Sequence, residues 1–412
     1  MNYQTIAALD IGSSKVCCLI AHVTKDKKIS VVGYGYNASK GIKNGVITDI
    51  NEATISVCNA VEAAEQKAHE QINGVILNIS GEKTLACLRR SSIALKKNRP
   101  ISQEDINKVM DKGLAKINIG NNDLIHSMLT NYKIDGGEDL KDPRNIYGEE
   151  LSVNILLGMY PSILRRNLAS VVEAAHLNID SMAFSAYAAG MSCLVEDERE
   201  YGSTIIDIGG GTTSIATFKG GFPVAFSTIP VGGINITRDI TKGLTTSFEH
   251  AEDLKIRCGC AFGVTQDEYE NINVYPLGEE DDSSIKQMHR SDLIRIIAPR
   301  VEEIFELVAR KLETHGLHNL QNHRVVLTGG GSQLPGMREV ANLILNKQVR
   351  LGGPRNIGGL PEPLANNPIF ATSLGMLLFA TNNIECKPKK VINRPLGGNK
   401  LMKIFNWIKQ NS

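Results

Sequence analysis

Thr5-Ile-Ala-Ala-Leu-Asp10-Ile-Gly-Ser-Ser-Lys15 returns, with its aspartate 197 positions further on, as Ser203-Thr-Ile-Ile-Asp207-Ile-Gly-Gly-Gly-Thr-Thr213. Each stretch reads as an apolar strand ending in Asp, then a glycine-rich hairpin turn, then a second apolar strand over 16–20 or 214–218. One such hairpin is ordinary β structure. Two copies predict a duplicated domain whose turns face each other across a cleft. A third glycine run, Val325-Val-Leu-Thr-Gly329-Gly330-Gly331-Ser332, again follows an apolar strand. The combination predicts a nucleotide held between two lobes.

The residue types suit that ligand. A polyphosphate needs backbone N–H groups at close range, and glycine allows both the approach and the φ > 0 conformations of such turns. The hydroxyls of Ser13, Ser14, Thr212 and Thr213 add donors, and Lys15 adds a point charge. Asp10 and Asp207 repel phosphate, so they fit only with a hydrated Mg²⁺ between carboxylates and phosphates. No GxxxxGK[ST] occurs, and the glycine runs open hairpins rather than strand-to-helix turns, which excludes Walker-type and Rossmann loops.

At 412 residues the chain supports two large domains. A net charge of +1 with 22% charged residues leaves no nucleic-acid footprint. The eight cysteines (17, 18, 58, 87, 193, 258, 260, 386) mostly sit inside apolar strands or helices, and Cys258-Gly-Cys260 has no second pair at zinc-ligand spacing. Buried thiols in a reducing cytosol are expected. Met1-Asn-Tyr-Gln leads straight into the first strand, so no secretion leader is expected, and no apolar run approaches the roughly 20 residues of a membrane span.

The pattern predicts a three-stranded meander over 4–35, an amphipathic helix over 50–70 and a strand over 74–80. From 82 to 160 follow a strand, a helix over 102–116 with Ser102 as N-cap and Asp105 three residues on, and strands over 122–134 and 151–160. The last two flank a polar loop, 135–143. A helix over 162–176 leads into a second meander over 203–229. Beyond it lie helix-rich sequence, an acidic loop at 279–282 and a long helix over 292–315.

The three glycine turns resemble the actin-like ATPase superfamily: a phosphate-1 loop at Asp10, Gly12, Ser13, Ser14 and Lys15, and a phosphate-2 loop at Asp207, Gly209, Gly210, Gly211, Thr212 and Thr213. Gly329, Gly330, Gly331 and Ser332 form the adenosine loop. Ser247-Phe-Glu-His-Ala-Glu252-Asp-Leu-Lys255 resembles the helix that walls the adenosine, with Glu252 and Lys255 on one face. Small-residue segments at 183–190 and 371–375 resemble the two helices that cross at the hinge. Leu124-Ile-His126-Ser-Met-Leu-Thr-Asn-Tyr-Lys-Ile-Asp135, Asp142-Pro143 and Tyr147-Gly148-Glu-Glu-Leu151 look like the relocated subdomain 1C of the FtsA family of bacterial cell-division proteins. Pro143-Arg-Asn-Ile-Tyr147 departs from that family's shorter link.

The resemblance implies an α/β, actin-like duplicated ATPase fold with ribonuclease H-like halves. Subdomain 1A covers 1–81 and 161–200, 1C covers 82–160, 2A covers 201–232 and 306–382, and 2B covers 233–305. It implies ATP and Mg²⁺ as cofactors, with Asp10 and Asp207 holding the metal through water. Turnover is expected to be weak or absent, since no residue recommends itself for positioning water, Asp207 being the remaining catalytic candidate. It further implies head-to-tail filaments, recruitment of other division proteins, and binding of the FtsZ C-terminal peptide at Arg300 or Arg295 of 2B.

The tail reads independently. Residues 386–412 hold seven basic and no acidic side chains, leaving 38 basic against 44 acidic in the other 385. A Pro/Gly/Lys-rich linker over 383–398 precedes a helix over 399–412. At 100° per residue Leu401, Ile404, Phe405 and Ile408 make one apolar stripe, Lys400 and Lys403 lie opposite, and Trp407, the single tryptophan, sits at the border. Such a helix suits an anionic membrane surface, and the resemblance implies the cytoplasmic side of the inner membrane at the division septum. Two other classes share the fold. A PilM-like pilus-assembly ATPase would not need this tail, and a small-molecule kinase would need a general base that no segment supplies.

Overall fold

The computed structural model describes residues 3–383, apart from 116, 279–284, 318–322, 356 and 359. In chain order the first half runs β1 (Tyr3–Ile11), β2 (Lys15–Thr24), β3 (Ile29–Ala38), β4 (Ile42–Lys43), β5 (Val46–Ile47), α1 (Ile50–Ala68) and β6 (Gly74–Ile79). It continues with β7 (Leu85–Ala94), α2 (Gln103–Leu114), β8 (Asn122–Ile134), β9 (Glu150–Pro161), α3 (Ser162–Ala174), β10 (Asn178–Phe184), α4 (Ser185–Cys193) and α5 (Glu196–Tyr201). Next come β11 (Ser203–Ile208), β12 (Thr213–Lys219), β13 (Phe222–Ile229), α6 (Gly233–Leu244), α7 (Phe248–Cys258), β14 (Asn271–Val274) and β15 (Lys286–His289). The last elements are α8 (Arg290–Thr314), β16 (Arg324–Thr328), α9 (Met337–Leu345), β17 (Val349–Leu351) and α10 (Ala371–Asn383).

Duplication is visible in the topology. One five-stranded sheet has the order β10-β6-β1-β2-β3, the other β13-β12-β11-β16-β17. In each, an antiparallel meander starts from a central strand, β1 or β11, and that strand pairs in parallel with a later one, β6 or β16. These central strands are apolar because both faces are covered. Ala8 and Leu9, like Ile205 and Ile206, are wholly buried.

The segment between β6 and α3 forms a separate three-stranded sheet, β7-β9-β8. Ile106 and Val109 of α2 join Leu151, Val153, Ile155 and Leu157 of β9 in their own core. At the start of α2 the Asp105 carboxylate accepts hydrogen bonds from the Ser102 N–H (3.0 Å) and hydroxyl (2.8 Å). Hydrogen bonds from the Arg99 guanidinium hold that carboxyl well below its ordinary range. At the other crossing, α4 and α10 meet at a residue with no side chain. A Cβ on Gly375 would lie 1.8 Å from the Ala188 carbonyl oxygen, and Ser192 donates to the Ala371 carbonyl at 2.7 Å.

Several boundaries differ from expectation for local reasons. α1 stops at His69, which adopts a left-handed φ of 55°. The long helix begins at Arg290 rather than 292, because β15 runs directly into it. Its Pro299 lies inside the helix. Cys87 is exposed, since it lies on β7 at the edge of the inserted sheet, whereas Cys17, Cys18 and Cys193 are buried. One compact unit extends to Thr381. The acidic loop at 279–282 and the tail from 384 onward lie outside the described residues.

Candidate functional site

The turns after β1, β11 and β16 border one cleft of about 480 Å³. Asp10, Gly12, Ser13, Ser14 and Lys15 line it from one half, and Asp207, Gly209, Gly210, Gly211 and Thr212 from the other. Gly329, Gly330 and Gly331 close a third side, and Glu252 and Lys255 of α7 a fourth. The first two turns touch: a Cβ on Gly210 would lie 2.6 Å from the Ser14 Cβ, and one on Gly211 2.6 Å from Ser13 Oγ. Two expected residues point elsewhere. The Thr213 hydroxyl donates to the Val231 carbonyl (2.8 Å), and that of Ser332 to the Gly329 carbonyl (2.7 Å), so both brace the loops.

Glycine is demanded at 329 by the protein itself. Its φ is 81°, and a Cβ would meet Asp207 Oδ1 at 2.2 Å. Gly330 is different. The nearest atom to a Cβ there is Ile369 Cγ1 at 3.6 Å, an ordinary contact. The fold leaves room at 330, on the wall of the cleft.

Both aspartates are held by the first turn of α10. Ser373 donates to Asp10 Oδ2 at 3.0 Å and Thr372 to Asp207 Oδ2 at 2.8 Å. Burial nevertheless dominates and raises the Asp10 pKa against the lowering influence of Lys15. Burial also pushes Asp207 up to about 6, with a further rise from the charge of Asp10. The Lys15 ammonium is 3.9 Å from Asp10 Oδ2, donates to the Ile369 carbonyl at 2.9 Å and lies over the Phe370 ring. Asn78, almost wholly buried, ties the end of β1 to β6 by accepting the Ile11 N–H at 2.7 Å.

A group whose pKa is raised on folding adds stability at low pH and loses it as pH rises through the folded value. Without added ligand or divalent cation, the contribution of Asp10 and Asp207 should therefore be lost between pH 4 and pH 7, against the opposite trend of His126 and His323, whose pKa values burial lowers to about 4. Asp207→Asn should lack that part of the loss, overtaking wild type above pH 6. Thermal melts across this range measure the crossing. Parallel curves for the two proteins would mean that Asp207 is not the strained group.

On the α7 side, Lys255 Nζ contacts Glu252 Oε2 (2.6 Å), the Thr237 hydroxyl (2.8 Å) and the Gly233 carbonyl (3.3 Å). Thr237 also donates to Glu252. This network fixes two polar side chains at the rim, while Leu334 and Pro335 supply apolar surface opposite them. The two arginines expected to meet a partner lie away from the cleft on α8. Arg300 sits ten residues into α8, where Asp239 of α6 (2.5 Å) and Glu303 neutralise it. Arg295 is 73% exposed and, among the described residues, pairs with its helix neighbour Asp292 at 3.0 Å. The membrane-facing residues Lys400, Leu401, Lys403, Ile404, Phe405, Trp407 and Ile408 lie outside the described residues.

Solved structures place this architecture in the actin-like class. A PilM–PilN type IV pilus biogenesis complex superposes with a TM-score of 0.63 at 15% identity, over 91% of this chain and 98% of that one. MreB5 of Spiroplasma citri bound to ADP gives 0.57 at 15%, over 93% and 99%. Sequence narrows the class. The family model "Cell division protein FtsA" matches residues 204–375, and the "SHS2 domain inserted in FTSA" matches 83–157, the three-stranded insertion. The cell division protein FtsA of Agrobacterium fabrum is 34% identical over 91% of this chain and 86% of its own length. The chain belongs to the FtsA family of cell division proteins.

Proposed function

We propose that this chain is an ATP-binding adaptor that polymerises on the cytoplasmic face of the inner membrane, ties FtsZ filaments to it and helps assemble the septal machinery. The observation that carries the nucleotide reading is the convergence of both Asp–Gly turns and the third glycine run on one cleft, with open space at Gly330. MreB5, of the same fold, holds ADP. The donor set also suits Mg²⁺. Asp10 and Asp207 are oxygen ligands with raised pKa values, Asp207 partly because Asp10 repels its charge, and a hard dication would favour both carboxylates. Bound there through water, the ion would neutralise phosphate charge. Lys15 and the turn amides would hold the phosphates, and Glu252 and Lys255 would face the ribose and base.

Weak or absent turnover remains the expectation, with Asp207 as the catalytic candidate. The likeness to PilM at 15% identity is one of fold and favours no pilus role. Membrane attachment is assigned to the basic, amphipathic tail. One experiment tests the reading: the purified full-length protein should bind ATP and pellet with anionic liposomes.

The FtsZ contact is assigned to domain 2B, where Arg295 is the one of the two expected arginines that stays exposed. Arg300→Glu would set a third carboxylate against Asp239 and Glu303 and loosen α8 from α6, so the clean variant is Arg295→Glu. It should weaken an acidic FtsZ C-terminal peptide by about 1 kcal/mol, the upper range for an exposed pair, with ATP affinity unchanged. Fluorescence anisotropy measures this, and unaltered peptide affinity would move the contact off Arg295.

A further inference from the structure

The chain between β3 and α1 is short, yet its tip touches both phosphate-facing turns. β4 and β5 form a two-rung hairpin closed by Asn44 and Gly45, whose φ values are 50° and 75°, as a type I′ turn requires. The Gly45 N–H donates to Ser13 Oγ at 2.9 Å. From the opposite half Gly211 comes so close that a Cβ on it would lie 3.0 Å from the Asn44 nitrogen. On its other side Gly45 presses on the end of β6, where a Cβ would sit 2.8 Å from Ser80 Oγ and 3.0 Å from the Ser80 carbonyl oxygen. That same carbonyl accepts the hydroxyl of the wholly buried Tyr160 at 3.3 Å.

The topology gives these contacts a consequence. The chain leaves the first sheet for the β7–β9 insertion through Gly81, at φ 133°, and returns through Tyr160 and Pro161. Both covalent connections of the insertion therefore meet beside Gly45, one hydrogen bond from Ser13. We propose that the β4–β5 hairpin is a positioning strap that reads the terminal phosphate of a bound nucleotide through Ser13 and passes its presence to the insertion through Ser80 and Tyr160.

The proposal rests on the nucleotide reading above. Ser13 Oγ accepts from Gly45, which leaves its own hydrogen free to donate. A phosphate oxygen taking that hydrogen makes Oγ a better acceptor and tightens its bond to the strap. Loss of the terminal phosphate removes the tightening. Gly45 has no free space toward Ser80, so a shift of the strap moves the end of β6 instead of being absorbed.

Hydrogen exchange on the full-length protein tests this in three states: nucleotide-free, with ADP, and with a non-hydrolysable ATP analogue. Amides over 41–47 and over 150–160 of β9 should exchange about tenfold more slowly with the analogue than with ADP, the effect of one strengthened charge-assisted bond. α7 should be protected equally by both. Tyr160→Phe keeps the ring and removes only the hydroxyl, so the difference should survive over 41–47 and vanish over 150–160 of β9. Ser13→Ala at saturating nucleotide should erase it in both places. Equal exchange over 41–47 with ADP and analogue, while α7 is protected by each, would overturn the strap and leave the nucleotide reading standing. No protection of α7 by either nucleotide would overturn both. A Tyr160→Phe protein that retains the difference over 150–160 would overturn the relay to the insertion.

Discussion

Asp10→Asn, Asp207→Asn and Gly330→Trp should each lose ATP binding while remaining folded. The two aspartate variants remove the charges that a metal–phosphate unit requires, and losing one partner of a buried charge pair costs about 2–5 kcal/mol, roughly thirtyfold or more in affinity. Gly330→Trp acts by volume, since it fills a cleft of about 480 Å³ from a wall that the protein's own packing leaves open. Folding should survive for stated reasons. Asp207→Asn removes a buried group whose charged form is already disfavoured, and a Cβ at 330 meets Ile369 at an ordinary distance on the wall of the open cleft. Gly330→Ala is the internal control, adding one methyl where there is space and losing far less affinity. Titration with a fluorescent nucleotide, beside circular dichroism melts, measures both properties. Wild-type affinity in all three variants would remove the assignment of this cleft to a nucleotide.

The parts of this site that could be read from the chain are those whose local conformation forces a residue type. An Asp-Gly turn after an apolar strand writes its geometry into adjacent residues, so β1–β2 and β11–β12 and their facing turns were legible. Thr372 and Ser373 were not. They contact carboxylates 165 and 363 positions away, and in sequence they are merely hydroxyls in a small-residue helix. Arg300 shows the same limit from the other side. Its neutralisation by Asp239 spans 61 positions, so in sequence it read as a free cation. The β4–β5 hairpin escaped because its strands have two residues each, too short for any periodicity, although Asn44-Gly45 is a turn signal by itself. Small residues at 371–375 did predict a close helix crossing, because contact with the Ala188 carbonyl leaves space for glycine alone at 375.

Removing residues 397–412 should release the protein from anionic liposomes and leave ATP affinity intact. The expected loss is large because two independent attractions disappear together. Lys400, Lys403 and Lys409 contribute about 1 kcal/mol each near an anionic surface. Leu401, Ile404, Phe405 and Ile408 contribute up to about 1.5–3 kcal/mol each when fully buried, and less in the headgroup zone, so the stripe outweighs the charges. Trp407→Glu should approach the effect of truncation, since it replaces an interfacial aromatic with a carboxylate that the surface repels. Changing the three lysines to Gln should do less, because the stripe remains. Salt separates the two contributions. Screening at 1 M shortens the electrostatic reach to about 3 Å, so wild-type binding should weaken only partly, and the triple Gln variant should hardly respond. Filament formation would strengthen each weak anchor through multivalency, so co-sedimentation is best compared at equal protein concentration. A truncated protein that pellets with vesicles as well as the full chain would mean that the helix is a docked structural element and that membrane attachment lies elsewhere.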